Sequence, residues 1–269
     1  MPRDIFQMIG SLDAEGVQRV VDRLEYRGKN EAFVAMREAY LSRLNLVPNA
    51  NVLDLGCGTG VVARALAARD SFSGKIVGID YSEDLIDAAR RLAAKEAVSE
   101  RVGDASSLDD EDETFDVVIL HTVVSHVPDP DAAVSEAGRV VRPGGLVAIF
   151  DGDYASLTFA TGDHAIDAEM VQAILSAVVA NPHVMREVPV ILRDVGLKTD
   201  GFIPNVLAEA EECAFFSGMA ESYVPMVVRA KLMSEEQADG WLNGLRQSVS
   251  TKCSFASCNY YTYIARRPV

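Results

Sequence analysis

The stretch that decides the fold reads Val52-Leu-Asp-Leu-Gly-Cys-Gly-Thr-Gly60. Together with Asn51, its first residues form a short apolar run, which predicts a buried strand that enters a tight turn. The glycines at positions 56, 58 and 60 allow the backbone to turn sharply and to approach a ligand closely. A helix that begins at Val61 presents its N-terminal amides to that ligand. The stretch alone indicates a nucleotide-like ligand.

Strand and helix patterns alternate from this stretch to about residue 150. Strands are predicted at Lys75–Asp80, Phe115–Leu120 and Gly145–Phe150, and helices at Glu83–Ala97 and Asp131–Val141. Such alternation is typical of parallel strands joined by right-handed helical crossovers, with helices on both faces of the sheet. The predicted fold class is therefore α/β, with a doubly wound sheet.

Two carboxylates follow predicted strands at the ligand-binding edge. Asp80 closes the second strand, where a carboxylate can accept hydrogen bonds from both hydroxyls of a ribose. Asp104 follows a short strand and is placed to accept a hydrogen from an adenine amino group. A dinucleotide-binding loop has the pattern GxGxxG, but Val61 stands where its third glycine is required. A nicotinamide-dependent oxidoreductase, which also binds its cofactor at a glycine loop, is the alternative interpretation. Both Val61 and the Pro143-Gly-Gly145 turn argue against it.

Composition and charge disfavour several classes of partner. The formal net charge of −15 at pH 7 repels nucleic acid and anionic lipid surfaces over most orientations. No long uncharged apolar run and no secretory signal are present, so a cytoplasmic protein without a membrane span is expected. Four scattered cysteines predict reduced thiols, and no metal site is predicted.

Four motifs in register resemble the class I S-adenosylmethionine-dependent methyltransferases, especially the branch that includes ubiquinone, menaquinone and sterol methyltransferases. They are LDLGCGTG at 53–60, GIDYS at 78–82, GDA at 103–105 and HVPDPDAAVSEAGRVVRPGG at 126–145. The resemblance covers roughly residues 50–150. It implies a seven-stranded, mostly parallel sheet whose last strand, Phe255–Arg266, is antiparallel. It also implies S-adenosylmethionine as cofactor, with S-adenosylhomocysteine as product.

The chain divides into four segments without a visible linker. Residues 1–47 are predicted as an N-terminal helical cap and residues 48–151 as the S-adenosylmethionine-binding core. Residues 152–250 are predicted as a helical substrate cap with the remaining core elements, and residues 251–269 as the closing strand of the sheet. Since the resemblance is weakest between residues 151 and 250, the choice of substrate is expected there.

The resemblance implies a set of cofactor-binding residues. Asp54 and the glycine loop would surround the methionine part, Asp80 the ribose, and Tyr81, Asp104 and Ala105 the adenine, while His121 would lie near the sulfonium. Arg27, in the N-terminal helices, is a candidate partner for the methionine carboxylate, whereas Arg37 is assigned to a solvated helix face. The complete set is Arg27, Asp54, Gly56, Cys57, Gly58, Asp80, Tyr81, Asp104, Ala105 and His121.

Three residues are candidates for proton removal from the acceptor: His121, His126 and Asp151. Imidazole titrates near neutral pH, and the two histidines follow the fourth strand. The alternatives are a structural hydrogen bond for His126, a role in lining the pocket for His121, and capping of the next helix for Asp151 or Asp153.

The sequence thus predicts methyl transfer from S-adenosylmethionine to carbon or oxygen of a small, largely apolar metabolite. The alternatives are the oxidoreductase and a non-catalytic S-adenosylmethionine-binding protein. The expected partner is a small-molecule substrate, and a homo-oligomer is possible. No nucleic acid or membrane partner is expected.

Overall fold

The computed structural model describes residue 4, residues 6–93 and residues 98–269. The described residues form seven strands: β1 (Asn51–Leu55), β2 (Lys75–Asp80), β3 (Val98–Val102), β4 (Phe115–His121), β5 (Val141–Ala160), β6 (Lys198–Glu211) and β7 (Ser254–Arg266). They also form nine α-helices: α1 (Ala14–Lys29), α2 (Glu31–Arg43), α3 (Val61–Ala67), α4 (Glu83–Leu92), α5 (Pro130–Val140), α6 (His164–Val178), α7 (Val184–Asp194), α8 (Ala214–Arg229) and α9 (Glu235–Ser250). A 3-10 helix, Phe6–Ser11, precedes α1.

The strands of the described residues pair in one sheet of order β3-β2-β1-β4-β5-β7-β6. Strands β1 to β5 pair in parallel, and β7 runs antiparallel to both β5 and β6. The prediction of a doubly wound, mostly parallel seven-stranded sheet with an antiparallel last strand is confirmed. The strand order reverses between β1 and β4, and in such folds the ligand crevice lies at the carboxyl ends of the strands beside this reversal.

Side-chain caps fix the starts of the helices that flank this crevice. Ser82 Oγ accepts a hydrogen bond from Leu85 N at the start of α4, and Asp129 Oδ1 accepts one from Ala132 N at the start of α5. Helix α4 ends at Leu92. The predicted extension of this helix to Ala97 falls on residues 94–97, which lie outside the described residues.

Strand β5 is much longer than the predicted Gly145–Phe150, because it pairs with β7 over most of its length. The register of this pairing shifts between Asp153 and Thr158, and both strands continue past the shift. Asp151 and Asp153 therefore lie inside the strand, where they are 0% and 2% exposed. The alternative that they cap the next helix is wrong, since Asp163 is the N-cap of α6.

The second half of the chain packs onto the extended part of the sheet. In this half Phe159 of β5 contacts Phe216 of α8 and Trp241 of α9 edge to face. Trp241 Nε1 also donates to Asp167 Oδ1 of α6 at 2.8 Å. These side chains belong to the same hydrophobic core as Tyr40 of α2. Helices α6, α8 and α9 thus bury their apolar faces against the sheet and against one another.

Candidate active site

A cavity of about 450 Å³ lies at the carboxyl ends of β1, β2 and β4. Its floor is formed by residues 54–59, by the end of β2 and by residues 103–106, and its roof by α1, α2 and the 3-10 helix. The volume is within the range of about 300–1,000 Å³ that is usual for small-molecule sites. All predicted site residues except Asp151 line this cavity.

The glycine loop is held against the end of β2 by backbone hydrogen bonds. Gly56 N and Cys57 N both donate to Ile79 O, at 2.7 and 2.9 Å. Gly56 has a φ of +71°, and a Cβ at this position would lie 2.5 Å from Val123 Cγ2. Only glycine fits here without a shift of the loop after β4. Burial raises the pKa of the Cys57 thiol well above its usual value, so the thiol is neutral.

Asp80 receives two backbone hydrogen bonds at the rim of the floor. Its Oδ2 accepts from Gly58 N at 2.8 Å and its Oδ1 from Ser82 N at 2.9 Å. Burial raises the pKa of the Asp80 carboxyl, and the backbone hydrogen bonds partly offset this. Each carboxylate oxygen keeps a lone pair for a further donor, which suits a pair of vicinal hydroxyls.

Asp54 carries an orphaned acceptor under the floor. Its Oδ2 accepts from Ala63 N at 3.1 Å, whereas its Oδ1 is buried and has no hydrogen-bond partner among the described residues. Burial, with the nearby carboxylates of Asp80 and Glu100, raises the pKa of the Asp54 carboxyl to about 7. An ammonium group beside it would satisfy the orphaned oxygen and lower this pKa, so the residue fits the amino group of S-adenosylmethionine.

Two guanidinium groups line the cavity beneath the roof. Arg27 Nη2 donates to Thr122 Oγ1 at 2.6 Å, and Arg37 Nη1 donates to Gly28 O at 3.2 Å. Arg37 is 8% exposed, and its buried Nε has no hydrogen-bond partner within the described part of the chain. The assignment of Arg37 to a solvated helix face is therefore wrong. Either arginine fits the methionine carboxylate as a charge-assisted partner.

The backbone is strained where β4 enters the cavity wall. Thr122 has a φ of +58°, a left-handed conformation that is rare for a β-branched residue. Three hydrogen bonds hold it there: Thr122 N donates to Phe150 O, its Oγ1 donates to His121 O, and the same Oγ1 accepts from Arg27. Strain of this kind is typical of functional sites.

His121 lies at the end of β4 in an aromatic stack. Its Nδ1 is 2.9 Å from Tyr40 Oη, and its ring stacks on Phe150 with centroids 4.6 Å apart. Burial, with the positive charges of Arg27 and Arg37, lowers the pKa of His121 well below its usual value. A ring that is held neutral in this way is a weak proton acceptor, which favours the pocket-lining role over general-base catalysis.

His126 makes a hydrogen-bond contact with Asp4 that no sequence pattern predicts. Its Nδ1 lies 2.7 Å from Oδ2 of Asp4, whose side chain is 0% exposed. The two residues are separated by 122 positions, so no local pattern could reveal the pair. Its ring also contacts Phe6, with centroids 4.5 Å apart, and lines the cavity.

The structure contradicts the catalytic role predicted for Asp151. This carboxylate is absent from the cavity wall formed by the described residues. It accepts hydrogen bonds from Ser125 N and Oγ and from Gly152 N, at 2.8 to 3.0 Å. Burial raises the pKa of Asp151. Its contacts hold the loop that carries His126.

The rim of the cavity beside β2 and β3 contains the residues assigned to adenine. Tyr81 is 73% exposed, so one face of its ring is free to cover a planar ligand. Asp104 Oδ1 accepts from Ser106 N and Oγ, at 2.8 and 2.7 Å. Ala105 lines the cavity next to it.

The expectation that residues 151–250 choose the substrate is not met in this structure. The cavity-lining residues within the described part of the chain all lie between Phe6 and Asp129. The apolar residues of the second half, such as Phe159, Met170 and Phe216, are buried in the core instead.

Within the described ranges no group of three or more potential metal ligands is present. None of the described helices is long and apolar enough to cross a membrane.

Comparison with known sequences places this site in a family. The profile of the methyltransferase domain family matches residues 53–149. An uncharacterized 37.1 kDa protein in transposon Tn4556 of Streptomyces fradiae is 27% identical over 263 residues, which cover 97% of this chain and 75% of that protein. A demethylmenaquinone methyltransferase of Lactiplantibacillus plantarum is 35% identical over 112 residues, 40% of this chain and 47% of the relative. The second match therefore spans about half the length of that relative.

Solved structures share the fold. A methyltransferase candidate from Bacillus halodurans superposes with a TM-score of 0.61 and 22% identity, covering 87% of this chain and 99% of that one. Phosphoethanolamine N-methyltransferase 2 of Haemonchus contortus, in complex with S-adenosyl-L-methionine, gives a TM-score of 0.55 and 21% identity over 87% of this chain and 53% of that one. The family match overturns the oxidoreductase alternative. These comparisons, together with the site, support a class I S-adenosylmethionine-dependent methyltransferase of the small-molecule type, with S-adenosylmethionine as its cofactor.

Proposed function

We propose that this methyltransferase transfers the methyl group to carbon or oxygen of a small, largely apolar acceptor. The observation that carries the proposal is the roof of the cavity. Phe6, Ile9, Leu24 and Phe33 enclose it with apolar surface, and His126 lies on the wall beside them. An enclosed apolar space of this kind suits a small acceptor and excludes large polar substrates. The relative named demethylmenaquinone methyltransferase supports an acceptor of the quinone type.

The cofactor would be bound by groups at both ends of the cavity floor. Asp80 would accept the ribose hydroxyls, and Asp54 would accept the amino group of the methionine part. Arg27 or Arg37 would bind its carboxylate. Gly56, Cys57 and Gly58 would approach the methionine part through the backbone. Tyr81, Asp104 and Ala105 would surround the adenine, and His121 would lie near the sulfonium.

The protein's contribution to the reaction would be mainly one of placement. When bound, the cofactor supplies an electrophilic methyl group on sulfur. The walls of the cavity would hold the acceptor atom about 3 Å from that methyl group and in line with its bond to sulfur. The roof would exclude water from the reacting atoms. His126 would remove a proton from the acceptor where the reaction requires it, since His121 is held neutral and Asp151 does not face the cavity.

The proposal is tested with S-adenosylmethionine that carries a labelled methyl group. Calorimetry with S-adenosylhomocysteine first establishes that the preparation is competent to bind. Quinols, phenols and activated methylene compounds are then compared with amines and with peptides as acceptors. Label is expected on oxygen or carbon of the small apolar compounds. Transfer to amines or peptides alone would contradict the proposal.

A further inference from the structure

Three residues of the N-terminal segment, Asp4, Phe6 and Gln7, contact His126. Asp4 Oδ2 lies 2.7 Å from the ring nitrogen Nδ1, and Gln7 Nε2 donates to the backbone oxygen of His126 at 2.7 Å. The ring of Phe6 packs against the imidazole with centroids 4.5 Å apart. These contacts fix both the backbone and the ring of His126. The same segment supplies part of the cavity roof.

The position of the Asp4 carboxylate does not depend on the histidine alone. Its Oδ1 accepts from Phe6 N at 2.8 Å, and its Oδ2 also accepts from Ala180 N at 3.1 Å. Each oxygen therefore accepts from a backbone N–H donor, which holds the carboxyl group in place beside the imidazole. A buried carboxylate beside Nδ1 places the imidazole proton on that nitrogen.

The opposite ring nitrogen is then left with its lone pair. His126 Nε2 makes no hydrogen bond with any residue that the structure describes, and it is not among the buried unpaired atoms. Since the ring lines the cavity, Nε2 is the atom available to a ligand. Asp151 also interacts electrostatically with His126. The negative charge of the Asp4 carboxylate would stabilise the imidazolium that forms when Nε2 takes a proton.

We propose that Asp4 is a positioning residue for His126, and that the acceptor is a phenol or enol whose hydroxyl loses its proton to His126 Nε2. This inference rests on the proposed function. The acceptor O–H bond breaks and its proton goes to Nε2. A lone pair of the acceptor oxygen forms the new O–CH₃ bond, while the C–S bond breaks and its electrons stay on sulfur as a neutral thioether. The imidazolium returns the proton to solvent after product release.

A phenol or enol hydroxyl must lose its proton when its oxygen takes the methyl group, and a positioned imidazole is the usual general base for such a transfer. An amine nucleophile already has a free lone pair and needs no base to begin the attack. The pair of Asp4 and His126 therefore points to an acceptor hydroxyl rather than to an amine.

The first test observes the tautomer directly. ¹⁵N-histidine-labelled protein, saturated with S-adenosylhomocysteine, is examined by long-range ¹H–¹⁵N NMR. The signal of His126, among four histidines, is assigned by its loss in His126→Gln. We expect a proton on Nδ1 and a bare Nε2. A proton on Nε2 in protein that binds S-adenosylhomocysteine would overturn the inference and leave the proposed function standing.

The second test separates the ring contact from docking of the segment. In Asp4→Asn the side-chain NH₂ group would face a backbone N–H, of either Phe6 or Ala180, where a carboxylate oxygen now accepts. The amide would therefore no longer hold the imidazole proton on Nδ1, and the tautomer preference should be lost. Gln7→Leu removes only the contact to the backbone of His126 and should keep the tautomer, whatever it does to activity. Asp22→Asn changes an exposed carboxylate on α1 and serves as the unchanged control. Loss of the tautomer in Gln7→Leu but not in Asp4→Asn would contradict the assignment.

The third test uses the acceptor that accepts label most readily. His126→Gln should lower kcat by about 10²- to 10⁴-fold, the usual contribution of a general base. Asp4→Asn should lower kcat within the same range, with no change in the Kd for S-adenosylhomocysteine, and Asp4→Glu should recover part of the loss. The double variant should be no slower than His126→Gln, because residues that act as a unit are not additive. Additive losses, or a changed Kd in Asp4→Asn, would show a merely structural role for Asp4.

Discussion

The floor and the roof of the cavity are held by different kinds of contact. The floor is held mainly by backbone groups close to the glycine loop, such as the bonds from Gly56 N to Ile79 O and from Gly58 N to Asp80. The roof is held by side chains that are far apart in sequence, such as Asp4 with His126 and Arg27 with Thr122. The floor is thus a surface supported by the backbone, on which the cofactor is proposed to bind, whereas the roof can be altered one side chain at a time. Changes in the floor should therefore affect cofactor binding and folding more than changes in the roof.

The largest effect is expected from Asp80→Ala in the floor. The variant would lose the two charge-assisted hydrogen bonds that we propose to the ribose hydroxyls, each worth about 1.5 to 3 kcal/mol. The affinity for S-adenosylhomocysteine should fall by about 10²- to 10⁴-fold, as measured by calorimetry. Asp84→Asn, an exposed carboxylate in the first turn of α4, is the matched control and should bind normally. If the affinity of Asp80→Ala stays within about tenfold of that of the unchanged protein, Asp80 does not bind the ribose hydroxyls.

The next effect is on folding, from Gly56→Ala. The added Cβ meets Val123 and the residue keeps a positive φ, so strain and overpacking together should lower the free energy of unfolding by about 3 kcal/mol. Urea unfolding of the free protein measures this change. Gly240→Ala, on α9 with nothing within 4 Å of the new Cβ, should instead be neutral or stabilising by up to about 1 kcal/mol. Adding Val123→Ala should recover part of the loss in Gly56→Ala. Equal effects at the two glycines would contradict the account of the loop.

A smaller effect in the roof separates Arg27 from Arg37. The arginine that binds the methionine carboxylate contributes about 1.5 to 3 kcal/mol, so its replacement by Met should weaken S-adenosylhomocysteine binding by about 10- to 100-fold. Binding of 5′-methylthioadenosine, which has no carboxylate, should be unchanged in the same variant. Arg37→Met is expected to show this selective loss, because the buried Nε of Arg37 has no hydrogen-bond partner among the described residues, whereas the guanidinium of Arg27 already donates to Thr122. A selective loss in Arg27→Met alone would reverse the assignment.

The same contrast explains how far the sequence could predict this molecule. The alternation of patterns and the glycine spacing are local, and they predicted the doubly wound sheet and the carboxylates Asp80 and Asp104 at its ligand-binding edge. The family resemblance implied the antiparallel last strand and the place of Asp54. The contacts of Asp4, Arg37 and Tyr40 depend on how the N-terminal helices dock, and docking leaves no periodic signal in the sequence. Asp151 was misassigned because β5 continues past the predicted strand end, through pairing with β7. Residues 151–250 were assigned to the choice of substrate because the resemblance is weakest there, and a weak resemblance does not distinguish a core from a cavity wall.

The smallest effect is a pH dependence that originates at Asp54 in the floor of the cavity. With a pKa of about 7, this carboxyl is largely protonated in the free protein below that pH. The ammonium group of the ligand favours the ionised form, so binding releases a proton. The affinity for S-adenosylhomocysteine should therefore fall as the pH is lowered below about 7, by up to tenfold per unit. The free energy of unfolding of the free protein should change in the opposite direction. The raised pKa stabilises the fold most at pH values below the unfolded value of 3.8, and this stabilisation is lost as the pH rises through about 7.

Calorimetry between pH 6 and 8 measures the pH dependence of the affinity. Asp54→Asn should remove the dependence, and 5′-methylthioadenosine, which lacks the amino group, should never show it. An equal pH dependence for both ligands would place the titrating group elsewhere than beside the ligand's ammonium.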